Sequence, residues 1–376
     1  MIGVYLHIPF CKRRCIYCDF FSSTDSVWKE KYVDALCREL EMRRHEACNR
    51  QVRTIYFGGG TPSQLSVHEL ERIFHYIYKV YNVSADAEIT LEANPDDLTE
   101  EYVAALADLP VNRVSMGVQT FDDGMLALLK RRHTSFQVSE AISRLRRVGI
   151  MNLSIDLIYG LPGQTLTGWK VDLQKALALK VPHISAYSLI YEEDTPLWEM
   201  RRKGVADETP EDEVAQMYEQ LVECLTKEGY VHYEISNFSI PGMESRHNSS
   251  YWQAVPYIGC GAAAHSFDGC ASRRWNVDSI PLYIEGILKG MPLSDGEELD
   301  LPTRYNDYMV TVMRTRKGAL MDDVEHRFGT VFRQHCLRMA DKHIQRGGLL
   351  LQDGRLQLSR EGIFVSDGII SDLLWG

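Results

Sequence analysis

Three cysteines within eight residues, Cys11, Cys15 and Cys18, are the sharpest chemical signal in the chain. Their C-x3-C-x2-C spacing puts three thiolates on one loop, immediately after a short apolar run. A 4Fe-4S cluster normally takes four thiolates, so three near ligands leave one iron open to an exogenous ligand. A tetrahedral zinc site completed by His7 or a distant cysteine fits the same spacing. The other six cysteines, Cys37, Cys48, Cys224, Cys260, Cys270 and Cys336, are scattered singly among apolar neighbours, the setting of small buried hydrophobes rather than of a disulfide framework. They are given no role.

These ligands need elements to hold them. Six short segments rich in β-branched and apolar residues, 3–8, 53–57, 88–92, 113–118, 152–158 and 183–189, read as strands. Stretches with helical spacing lie between them, and some carry start signals: Ser66 with Glu69 three positions on, and Thr209-Pro210 before an acidic first turn. Alternating strands and helices imply parallel strands with right-handed crossovers, here an incomplete (β/α)6 parallel barrel. The cysteines follow strand one, Gly58 to Thr61 follow strand two, Glu92 ends strand three, Gln119 ends strand four and Asp156 lies late in strand five. All sit at carboxyl ends, the rim where such folds carry their sites.

Two glycine runs need weighing. Gly58-Gly59-Gly60-Thr61-Pro62 allows backbone to approach a ligand that a Cβ would hold away, and it lacks the Gly-Lys-Ser/Thr ending of a phosphate loop. Gly259-Cys260-Gly261 fits a loose dinucleotide fingerprint, but no convincing strand precedes it and that reading is rejected. Beyond about residue 295 the pattern changes to helices over 303–315, 321–328 and through Cys336 to Ile344, then Gly347-Gly348 and an alternating stretch over 349–358. A barrel with its following region over 1–295 and a winged-helix-like domain over 296–376 are expected.

Cys11, Cys15 and Cys18, with Tyr17 between the last two, resemble the signature loop of the radical-SAM superfamily. There the amino and carboxylate groups of S-adenosylmethionine (SAM) chelate the open iron, and the reduced cluster cleaves the sulfonium to a 5'-deoxyadenosyl radical. Y-L-H-I-P-F-C, G-G-G-T-P, E-A-N-P, S-M-G-V-Q-T-F and D-L-I-Y-G-L-P are similar to the oxygen-independent coproporphyrinogen dehydrogenases and the HemW-type haem chaperones. The resemblance implies SAM contacts at Tyr5, Tyr17, Gly59, Gly60, Thr61, Glu92, Gln119, Arg131 and Asp156. Carboxylates and an amide suit ribose hydroxyls and an ammonium, and Arg131 suits the methionyl carboxylate or an acidic neighbour.

Two departures point away from the dehydrogenases. Phe20, after Asp19, stands where that enzyme shows a further cysteine, and only two residues precede the first strand. Arg246-His247-Asn248-Ser249-Ser250-Tyr251-Trp252, read as a loop, matches the H-N-x-x-Y-W motif associated with haem in HemW-type proteins. Neutral imidazole is a common axial ligand, and Tyr251 and Trp252 offer aromatic faces to a macrocycle. His265 is the reserve ligand. The resemblance therefore implies a haem chaperone that passes haem to apoproteins such as respiratory enzymes and draws on an electron donor. Radical decarboxylation of coproporphyrinogen III is the alternative.

Composition sets the outer bounds. Forty-one basic against 52 acidic residues leave a net charge of −11, so no overall positive field gathers nucleic acid. No signal-peptide layout or spanning apolar run is found, and a cytoplasmic protein is expected, with contact at a membrane surface left open.

Overall fold

The computed structural model describes residues 1–47 and 50–376. Cys48 lies outside them. The six expected strands form, as β1 (Ile2–Ile8), β2 (Val52–Gly59), β3 (Val83–Ala93), β4 (Arg113–Gln119), β5 (Asn152–Tyr159) and β6 (His183–Ser188). They pair in sequence order and all in parallel. The crossovers place helices such as Lys29–Met42, Val67–Val80 and Leu166–Ala178 on the outside. Ser66 and Glu69 make the expected reciprocal cap on the second of these.

Period-two alternation divides each strand between two environments. Val4, Leu6, Ile8, Ile55, Phe57, Ile89, Leu91, Val114, Met116, Leu153, Ile155 and Leu157 join the helix-covered core. The alternate positions carry Tyr5, His7, Thr54, Tyr56, Glu88, Glu92, Arg113, Ser115, Ser154, Asp156, His183 and Ser185. These bond to one another across the other face, as in Tyr56 to Glu92, Ser115 to Asp156 and Ser154 to His183. The partial barrel thus has an apolar outside and a polar lumen.

The parallel core is extended at both edges. β7 (Val231–Glu234) and β8 (Asn237–Ser239) form a hairpin antiparallel to β6. On the other side β9 (Tyr257–Cys260) pairs parallel to β1, followed by antiparallel β10 (His265–Phe267), β11 (Ser272–Asn276) and β12 (Ser294–Glu298). β9 corrects the sequence reading, since Gly259 and Cys260 lie within a strand. Four residues behind Pro256, half of them small, carry too little periodicity to be recognised.

A buried network ties this extension to the barrel. Arg43 donates to the Gly259 carbonyl at 2.5 Å and to Ser266 Oγ at 2.9 Å. Its partner Glu39, 3.3 Å away, accepts from the Gly261 amide at 2.8 Å and Tyr283 hydroxyl at 2.7 Å. Arg43→Met strands the buried Glu39 carboxylate and is expected to cost about 3–5 kcal/mol in denaturant unfolding. An unchanged midpoint and slope would contradict this role.

The C-terminal segment packs a separate core from Tyr305 to Leu373. Helices Leu301–Val312, Met321–Phe328 and Thr330–Gln345 precede a hairpin of β14 (Leu349–Gln352) and β15 (Arg355–Leu358), which pairs with β13 (Ala319–Leu320). Asp353 and Gly354, both with positive φ, make the tight turn. This is the expected helical module with its wing. It is attached to β7 through the Ile235 amide to the Arg314 carbonyl and the Arg316 amide to the Tyr233 carbonyl, 3.1 and 3.0 Å.

Candidate functional site

Strand register assembles the rim. β1 pairs His7 with Gly58 and Ile8 with Gly59, β3 pairs Glu92 with Ser115, and β4 pairs Gly117 with Asp156. The polar strand ends therefore stand side by side around one opening. The cysteine loop leaves the end of β1 and is pinned by reciprocal backbone bonds between Ser23 and the 9–11 segment.

Gly59 and Gly60 are needed here for steric reasons. Gly59 has φ +106°, and a Cβ on it would sit 2.6 Å from the His7 ring; a Cβ on Gly60 would sit 3.1 Å from Cys11 Sγ. Thr61 Oγ1 lies 3.4 Å from Cys11 Sγ. Burial raises the Cys11 thiol and pushes Cys18 up to about 11, so both hold their protons at neutral pH unless a cation takes over.

Arg131 is half-buried against the loop. Its guanidinium donates to Cys15 Sγ at 3.2 Å, to Asn94 Oδ1 at 2.5 Å and to the Gly117 carbonyl at 2.5 Å, while its Nε is buried without a partner. The acidic neighbours Asp96 and Asp97 pair instead with Arg132. Tyr17 lies beside Cys15 and Arg131, and burial raises its phenol. Gln119 takes a positive φ of 70°, an unusual backbone for a residue with a side chain, and its amide lies close to Gly117.

Glu92 accepts from the Tyr56 hydroxyl at 2.7 Å, and burial pushes its carboxyl up to about 7. Burial raises Asp156 as well, against hydrogen bonds from Ser185 and Ser115 and the charge of Arg113. Arg113 was not foreseen. It is 1% exposed, and two of its guanidinium nitrogens have no hydrogen-bond partner. Its signal was a lone cation at an inward position of a strand.

The histidines divide sharply. His247 lies not in a loop but on a helix, Arg246–Trp252, capped by Ser245 and by Glu88, whose carboxylate accepts from the Arg246 and His247 amides. It is 1% exposed, with Nδ1 2.8 Å from Thr54 Oγ1 and Nε2 2.9 Å from the Tyr251 hydroxyl. Burial, then Arg113, pushes it down to about 3, so it is neutral at physiological pH. Its ring stacks on Tyr56 at 5.0 Å and on Tyr5 at 6.4 Å. His265 is exposed and stacked on Trp275. His7 is engaged at both nitrogens, by Tyr5 and the Phe21 carbonyl, so it does not complete a zinc site. Of the other cysteines, Cys37, Cys260 and Cys336 are buried as expected, whereas Cys224 is half-buried and Cys270 is exposed in a bend.

Comparison with known proteins fits this geometry. The protein named heme chaperone HemW in Lactococcus lactis is 36% identical over 374 residues, spanning 99% of this chain and 97% of the relative. The chain belongs to the HemW family. The Bacillus subtilis protein of the same name is 37% identical over 334 residues, 88% of this chain and 87% of its own. Residues 5–175 match the Radical SAM superfamily and residues 299–365 the HemN C-terminal domain. The solved coproporphyrinogen III oxidase (HemN) from Escherichia coli shares the fold at TM-score 0.85, covering 99% of this chain and 89% of that one, with 20% identity. Family membership brings a 4Fe-4S cluster and SAM, and the residues fit them: three thiols on one loop, a glycine cradle, and a half-buried arginine whose Nε is an unused donor.

Proposed function

We propose that this protein is a cytoplasmic haem chaperone that binds haem and delivers it to apo-haem proteins. The observation that carries this is the H-N-x-x-Y-W helix, which sets a neutral imidazole against a stacked pair of tyrosine rings inside a radical-SAM barrel, supported by the names of relatives covering the whole chain. Haem would be held by His247, with His265 as the second candidate. The closed arrangement leaves His247 no idle nitrogen, so ligation exchanges one hydrogen bond, worth about 1 kcal/mol net, for an iron bond.

Cys11, Cys15 and Cys18 would hold the cluster, with SAM contacted by Tyr5, Tyr17, Gly59, Gly60, Thr61, Glu92, Gln119, Arg131 and Asp156. When bound, cluster and SAM supply one-electron reductive chemistry. The protein's share is to orient them: Arg131 fixes Cys15 and the β4 end, and Glu92 and Asp156 accept from hydroxyl or ammonium groups. Tyr56 joins the two sites, since its hydroxyl donates to Glu92 while its ring stacks on His247. The winged module over 296–376 is read as a packing and partner surface. Recipients and the electron donor are expected to be proteins.

Because Glu92 titrates near 7 and binds donors as a carboxylate, SAM affinity is expected to fall as pH drops below that value, by roughly tenfold between pH 8 and 6. Glu92→Gln should flatten the profile in calorimetric titration. A flat wild-type profile would remove Glu92 from the site.

The function is tested by anaerobic reconstitution followed by haem titration with and without SAM. Saturable binding near one haem per chain is expected. Conversion of coproporphyrinogen III to protoporphyrinogen IX by the same preparation would overturn the chaperone reading.

A further inference from the structure

Beneath the barrel, at the amino ends of β1 and β2, a cleft of about 1330 Å³ opens between the barrel floor and the C-terminal module. That exceeds the roughly 300–1,000 Å³ of ordinary small-molecule sites. The H-N-x-x-Y-W helix forms one wall through Arg246, Ser249, Ser250 and Trp252. Gly3 and Thr54 line the same cleft and touch the His247 ring from it: Thr54 hydrogen-bonds Nδ1, and a Cβ on Gly3 would lie 3.3 Å from Cε1. The histidine is therefore one residue layer behind the cleft.

The opposite wall is basic, in a chain whose net charge is −11. Six cations line the cleft against two acids, Glu244 and Asp323. Arg53 and Arg246 are committed to Asp86. Arg316, Lys317, Arg327 and Arg355, all from the C-terminal module, make no ion pair among the described residues. Aromatic surface lies between them: Arg327 stands over Tyr308 at 5.2 Å, and Trp252 carries a buried Nε1 with no partner. Unpaired cations around an aromatic-lined slot recognise a flat apolar body with anionic arms.

We propose that this cleft is the haem seat: the macrocycle lies against Trp252 and Tyr308, its two propionates meet the cationic group of Arg316, Lys317, Arg327 and Arg355, and its iron faces the His247 wall. This rests on the haem-chaperone reading and gives the C-terminal module a ligand-holding role. It also separates haem, at the amino ends of the strands, from the cysteine loop at their carboxyl ends.

The test titrates the full-length protein with haem and with haem dimethyl ester, whose propionates are capped, following the Soret band. Wild type should bind haem at least tenfold more tightly than the ester, with affinity falling as salt is raised. The R316Q/K317Q/R355Q variant should lose about tenfold in haem affinity and leave ester affinity unchanged. Arg316 and Lys317 are exposed and Arg355 is half-buried, and an unchanged melting curve verifies the fold; the ester comparison needs no variant. Equal wild-type affinity for haem and ester, or wild-type haem affinity in the variant, overturns the seat and leaves the chaperone reading standing. No saturable haem binding by wild type overturns the chaperone reading and the seat with it. Loss of duplex-DNA retention in the variant with haem affinity unchanged assigns the cations to nucleic acid and also refutes the proposal.

Discussion

Cys15→Ala, reconstituted anaerobically with iron and sulfide, is expected to hold less than about one iron per chain where wild type holds about four. Cys15 supplies one of only three thiols on the loop, and it is the one that Arg131 contacts, at 3.2 Å. Losing it leaves two ligands for a cluster that cannot be held by two, and leaves the Arg131 guanidinium facing a methyl group. Arg131→Met should reduce cluster occupancy less than Cys15→Ala while weakening SAM binding, since it keeps the ligands and removes the charge. Iron content, labile sulfide and the charge-transfer absorption read the outcome. Full cluster occupancy in Cys15→Ala would exclude the loop as the cluster site.

His247→Ala is expected to lower haem affinity by more than the roughly 10–100-fold typical of losing an outer-shell partner, and to shift the Soret band. The variant also empties a buried space between Thr54 and Tyr251, so its effect mixes ligation with packing. Thr54→Val separates them. It keeps the side chain's shape and removes only the hydroxyl bonded to Nδ1, the nitrogen on the cleft side, so haem should bind up to about fivefold more tightly, an effect opposite in sign to that of His247→Ala. If both variants leave the spectrum unchanged and His265→Ala alters it, the exposed histidine on β10 is the axial ligand.

The strands were legible because β-branched runs alternate with well-capped helices, and their carboxyl ends carried residues with no packing purpose. Cysteine spacing marked the candidate cluster loop for a similar reason: three thiols local in sequence are local in space. Arg113, Glu88 and Thr54 escaped notice because each is ordinary in its own segment and becomes unusual only when six strands curl to point them at one another. The helix at residues 246–252 escaped for a different reason. Seven residues are too few to show periodicity, and the helix is held by a carboxylate from β3, more than 150 residues away. β9 was hidden because half of its four residues are small and its glycine serves close backbone approach: a Cβ on Gly259 would meet the His265 carbonyl oxygen at 1.9 Å. Tertiary demands of this kind leave no local pattern to read.

Haem delivery is read out by transfer to an apoprotein. The reconstituted protein is loaded with one equivalent of haem, separated from free haem, and mixed with an apo-haem protein, with recipient activity followed over time with and without SAM. Recipient activation is expected to follow loss of haem from this protein, faster than from an equal concentration of haem on serum albumin, and to be abolished in His247→Ala. Activation no faster than from albumin, or undiminished in that variant, would contradict haem delivery by this protein.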